Sequence, residues 1–170
     1  MLTFTTFIAN IRTDVTGRCL MPAAKTLKNM CEGDPSKLFP WLFHRNFNSE
    51  MDVIELSKQG VTKKSLISFG DCFGFTPDRL AYMLPITLRT IQRYKSAQKF
   101  NPIISEHIIQ LVRLMIKGTE VFESRENFLR WFNAPNTALG GKVPSDLVSL
   151  QTGTQLVMDE LIRIDHGVFA

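Results

Sequence analysis

Thr87, Arg89, Thr90, Gln92, Arg93, Lys95 and Lys99 crowd into one short run of the chain. Their side chains suit a duplex. Arginine forks, glutamine amides and threonine hydroxyls hydrogen-bond base edges in the major groove, and cations meet phosphates. Arg89, Thr90 and Gln92 are the candidate base readers, and Arg93, Lys95 and Lys99 the candidate phosphate contacts; Thr87 opens the segment. A helical hairpin with a solvated basic face would hold the same residues. Catalytic groupings are poorer. Asp165, His166 and Glu160 form an acid–histidine group close in sequence. Neighbouring residues on a helix point about 100° apart, so Asp165 is badly placed to orient His166. No serine or cysteine has a readable base partner, and no G-x-G-x-x-G or phosphate loop occurs, so no enzyme activity is expected. Cys19, Cys31 and Cys72 form no C-x-x-C pair, and His44, His107 and His166 are equally scattered. No metal or cofactor is expected; the cysteines read as buried free thiols, and His107 as a core histidine.

The elements that would carry the basic run follow from caps and apolar spacing. Thr62 opens a helix bearing Leu66, Ile67, Phe69 and Phe73 that closes at Gly74. Thr76-Pro77-Asp78 is a second start, with proline at the first helical position and an acid at the positive helix end. That helix carries Leu80, Ala81 and Leu84 and must stop before Pro85. Thr87 caps a third helix over 88–95 with Leu88 and Ile91 inward. Two short helices joined by a tight turn form a helix-turn-helix plan, although proline stands in the turn where glycine is more usual.

Downstream, Asn101-Pro102 starts a long helix whose stripe of Ile104, Ile108, Leu111 and Met115 is widened by Val112, Ile116 and Val121. Such breadth means either the spine of the core or a dimer interface. Gly118 permits a close neighbour. Ser124 caps a helix with Phe128, Leu129 and Phe132 inward. Then come Trp131, the break at Pro135, and a corner of Asn136, Leu139, Gly140, Gly141 and Pro144. The paired glycines allow positive φ, and Pro144 suits the first position of a helix over 144–150. Thr152-Gly153-Thr154-Gln155 reads as a capping box opening a last helix with Leu156, Val157, Leu161 and Ile164 inward, ending at Gly167. The fold class is all-α.

The first sixty residues are less legible. A short helix over 22–30 ends near Gly33, and Met21 is an alternative start. Phe39, Trp41, Leu42, Phe43 and Phe47 crowd around Pro40, as local packing in preference to a partner surface. Ser49 opens a helix that stops at Gly60.

At 170 residues, 44% hydrophobic and 21% charged, the chain has the make-up of a soluble globular protein and can bury a sizeable core. No apolar run reaches the roughly 18–20 residues of a membrane span, and the N-terminus lacks a basic signal region, so a cytoplasmic protein without membrane contact is expected. The net charge of +4 is unevenly spread. Residues 76–100 hold Arg79, Arg89, Arg93, Lys95 and Lys99 against Asp78, whereas 101–170 are slightly acidic. This asymmetry suggests a nucleic-acid-facing segment joined to one with a different role.

The run from Trp131 through Asn136, Leu139, Gly140, Gly141 and Pro144 to Leu147, and the ending from Leu161 to Ala170, resemble the Xre/MbcA/ParS antitoxin family. The likeness covers about residues 62–170. His166 and Ser145 depart from the tyrosine-type and leucine residues common in the family. The resemblance implies an Xre-like helix-turn-helix followed by a small helical toxin-binding domain. It divides the chain into an extension of unknown role (1–60), a DNA-binding region (61–100), a core or dimerisation helix (101–123) and an antitoxin domain (124–170). It further implies a RES-domain toxin that degrades NAD⁺ as partner, operator DNA as a second, and a homodimer through the helical core. The tail Arg163, Asp165, His166, Gly167, Val168, Phe169 and Ala170 would plug the toxin's pocket, while the corner shapes the domain. A stand-alone helix-turn-helix regulator with a ligand- or partner-binding C-terminal domain is the alternative.

Overall fold

A computed structural model describes residues 37–43 and 49–167. The expected helix over 22–30, the alternative start at Met21, and the side chains of His44 and Phe47 lie outside the described residues, as do Val168, Phe169 and Ala170. Among the described residues the elements are α1 (Leu38–Phe43), α2 (Glu50–Gln59), α3 (Lys63–Phe73), α4 (Pro77–Met83), α5 (Leu88–Arg93), α6 (Pro102–Val121), α7 (Arg125–Phe132), a 3-10 turn (Thr137–Leu139), α8 (Pro144–Leu147) and α9 (Gln151–Asp165). The fold is all-α, with no strand among those residues, and no helix is long and apolar enough to cross a membrane.

Short polar side chains set most of the starts. The oxygens of Thr62, Thr76, Thr87, Asn101 and Ser124 each accept a backbone N–H three residues on, satisfying a donor that the helix itself leaves free. Ser49 and Asp52 close a reciprocal capping box on α2. Gly74 ends α3 in the left-handed region at φ 70°. Leu84 is extended, as Pro85 requires, so α4 stops at Met83.

Helix α6 is the spine. Ile108, Ile109, Leu111, Val112, Leu114 and Met115 are all buried. Arg113 reaches Glu50 at 2.7 Å near one end, and Val61 N–H donates to Ser105 Oγ at 2.9 Å near the other, so α2 runs antiparallel to α6. Gln151 donates to Glu106 at 3.2 Å and Lys117 to Asp165 at 2.7 Å, so α9 lies parallel to it. Helix α7 crosses near its end, with the Phe128 ring seated where a Cβ on Gly118 would stand. The apolar stripe is therefore spent inside one chain. Of the two readings of that stripe, spine of the core or dimer interface, the first describes the packing within the chain, where α2, α7 and α9 lie against it.

Five local readings change, the first being Leu156 of α9, which is exposed and not inward. Helix α5 ends at Arg93, not Lys95, because Tyr94 is extended and its ring stacks on Phe100 at 5.0 Å. Helix α8 closes at Leu147, short of residue 150. The capping box at Thr152–Gln155 does not form. Instead α9 opens at Gln151 with Leu150 at its cap, and buried Thr154 donates to the carbonyls of Val148 and Leu150 at 3.2 Å each. Leu147 O lies so close to Gly153 that a Cβ would collide with it. That approach fixes where the helix begins. Cys72 is buried and disulfide-bonded, not a free thiol. Spacing along the chain says little about which sulfurs a fold brings together; Cys19 and Cys31 lie outside the described residues.

Two readings stand. Leu38, Phe39 and Leu42 are core residues. His107 is buried with its Nε2–H donating to Val148 O at 2.7 Å, a satisfied histidine tying α6 to the start of α9.

Candidate DNA-facing and partner-facing surfaces

The basic run lies on a helix held from beneath. Leu80 and Met83 from α4, Leu84 just beyond it, and Ile91 from α5 are buried with Leu66 and Phe69 of α3. This leaves Arg89, Gln92 and Arg93 exposed on α5, with Lys95 exposed just beyond it. Thr87 and Thr90 are more constrained. Thr87 Oγ1 accepts Thr90 N–H at 3.2 Å, and the two hydroxyls lie 2.9 Å apart, so both serve the helix start. Lys99 is also engaged within the fold. Its Nζ donates to Gln59 O at 2.9 Å, placing a cation on the C-terminal end of α2, where the dipole favours it. Lys63, which the caps and apolar pattern did not single out, does the same for α5, donating to Gln92 O at 3.2 Å and Tyr94 O at 2.8 Å.

Arg79, part of the basic window, points away from this face. Its guanidinium donates to Ser145 Oγ at 2.6 Å and Asn133 Oδ1 at 3.2 Å, and stands 5.3 Å from the Tyr82 ring centroid. Tyr82 in turn donates to Asp146 at 3.3 Å. Helix α4 is thus strapped to the downstream corner by side chains whose pairing no local spacing reveals.

The corner is built from its own backbone. Asn136 N–H donates to Lys142 O at 3.0 Å and Gly141 N–H returns to Asn136 O at 2.8 Å. Asn136 Oδ1 accepts Ala138 N–H at 2.8 Å. Closing this loop puts Gly140 at φ 66° and Gly141 at φ 73°, conformations that side chains resist. Leu139 is half-buried against the core, Pro144 starts α8, and Trp131 sits against Phe122 and Phe128 with ring centroids 5.5 and 6.1 Å away.

At the other end of α9, the described tail residues separate. Arg163 Nη2 lies 2.7 Å from Glu160 Oε2, a close ion pair on a largely buried carboxylate, though without an aligned hydrogen bond. Asp165 accepts Lys117 Nζ at 2.7 Å, and that hydrogen bond holds its carboxyl below the ordinary carboxylate range. His166 and Gly167 are exposed, and the backbone turns at Gly167. The chain therefore leaves the fold beside the end of α6.

These surfaces fall inside two regions that match known families. Residues 52–113 match the Antitoxin Xre-like helix-turn-helix domain. Residues 117–167 match the Antitoxin Xre/MbcA/ParS C-terminal toxin-binding domain. The chain belongs to the Xre/MbcA/ParS antitoxin family. Family membership agrees with the resemblance read from the corner and tail, and the two matches run in the expected order along the chain. Among curated relatives, "Antitoxin Xre" of Yersinia enterocolitica (serotype O:8 / biotype 1B, strain NCTC 13174 / 8081) is 33% identical over 73 residues, 42% of this chain. The chain spans about half the length of that relative, 49%. Among solved structures, the M. tuberculosis MbcT-MbcA toxin-antitoxin complex contains a chain of 19% identity and TM-score 0.48, with 64% of this chain and 96% of that one covered.

Proposed function

We propose that this chain is the antitoxin of a type II toxin–antitoxin pair. In this reading its C-terminal region, 124–170, binds and neutralises a RES-domain toxin that degrades NAD⁺, and its helix-turn-helix region, 61–100, binds the operon's own promoter. The carrying observation is the tandem of family matches, a helix-turn-helix domain followed by a toxin-binding domain. The exposed Arg89, Gln92 and Arg93 on a helix buried from behind support the DNA side. On the toxin side, the exposed end of α9, with Arg163, His166 and Gly167, leads into Val168, Phe169 and Ala170, the residues proposed to enter the toxin's pocket. Asp165 would hold the last turn through Lys117 more than it would touch the partner. The RES class and the NAD⁺ chemistry come from the family resemblance.

The test is co-expression with the product of the adjacent gene, following growth and intracellular NAD⁺. NAD⁺ should fall when the neighbour is expressed alone and hold when this chain accompanies it. NAD⁺ that stays level in both cases overturns the reading and leaves a promoter-binding regulator in its place.

A further inference from the structure

The cations of the helix-turn-helix region divide by what their nitrogens already touch. Lys63 and Lys99 cap helix ends, and Arg79 is held by Ser145 and Asn133. Lys64, Arg89, Arg93 and Lys95 are exposed, and among the described residues none has a side-chain hydrogen bond or ion pair. Hydrogen bonds at the start of α3 connect three of them. Lys64 N–H donates to Ser96 O at 3.0 Å, Lys63 N–H to Gln98 O at 2.9 Å, and Thr62 bridges to Lys99. The start of α3 is thereby stitched to the segment that follows α5: Lys64 pairs with the residue after Lys95, and its neighbour Lys63 reaches the carbonyls on either side of Arg93.

Lys64 gains nothing from its own fold. It is the second residue of α3, whose first turn holds no acid, and a cation there faces the positive end of the helix. An external anion would reverse that cost. We propose that Lys64, with Arg93 and Lys95, forms a phosphate-contacting shoulder that carries the DNA face from α5 onto α3. The partner is the backbone of duplex DNA, so the shoulder adds affinity without adding sequence preference. The proposal rests on the DNA-binding reading above.

Fluorescence anisotropy across a salt series tests it. The probes are a duplex taken from directly upstream of the gene and a mixed-sequence duplex of equal length. Lys64→Gln should weaken both duplexes by the same factor and reduce the slope of log K against log salt by about 0.9. Lys142→Gln, at the distant corner, should leave the slope unchanged. Lys64→Glu should bind still more weakly while melting no lower than the wild type, because an acid suits that helix end; misfolding could not give that pair of results. A wild-type slope in Lys64→Gln, with wild-type binding intact, overturns the shoulder and leaves the DNA reading standing. A wild type that binds neither duplex overturns both.

Discussion

Gly118 shows how one absent side chain fixes a packing arrangement. The Phe128 ring occupies the space where its Cβ would be, and Phe128 is itself fully buried against Trp131 and Phe132. The ring has nowhere to retreat, so Gly118→Ala should destabilise the fold by overpacking, ~1–3 kcal/mol, despite the better helix propensity of alanine. Chemical denaturation checks this; an unchanged or raised midpoint would mean α7 can shift. Asp165 gives a pH dependence at the same scale. Its folded pKa is lowered by Lys117, so the contribution is present above the unfolded value of about 4 and is lost as pH falls through the lower folded value. The gap in melting temperature between wild type and Asp165→Asn should be constant at neutral pH and close only in acid. A gap that instead closes on raising pH through neutrality would assign the effect to another group.

Helix α5 is short, and its buried side rests chiefly on Ile91. Arg89 projects from the opposite side, so Arg89→Ala should lower affinity for the upstream duplex while melting as wild type does, read by anisotropy and thermal denaturation. A direct base contact of this kind is worth about 1–3 kcal/mol, roughly a 5- to 150-fold loss. Equal weakening on upstream and mixed-sequence duplexes would make Arg89 a phosphate contact instead. The outline of this element was legible because Thr87 caps it and Pro85 ends its predecessor, both local effects. Its C-terminal end was not, since Tyr94 leaves the helix to stack on Phe100, and nothing nearby in sequence marks that partner. The start of α9 was misread for the same reason: Thr154 turns inward to Val148 and Leu150 because Gly153 lies against Leu147. The exposed basic residues could be named from the sequence, but sorting them into helix caps, a strap to the corner and free cations needed tertiary contacts.

The two family matches meet within α6, one ending at residue 113 and the other beginning at 117, yet that helix is continuous from Pro102 to Val121. One face of it is covered by α2 from the helix-turn-helix side and another by α9 from the toxin-binding side. Arg79 and Tyr82 add a second tie, from α4 to Asn133, Ser145 and Asp146. Regions that share a buried spine cannot lose it separately, so both should melt together. Leu111→Ala, which empties a fully buried position on that spine, should cost ~2–5 kcal/mol and lower one common transition. With Trp41→Phe in the background, fluorescence reports Trp131 in the C-terminal region while far-UV circular dichroism reports all helices. Coincident curves before and after Leu111→Ala mean that the spine joins the DNA-facing and partner-facing surfaces in one cooperative unit. A fluorescence transition displaced from the dichroism transition would make them separate domains, with α6 divided between them near Arg113.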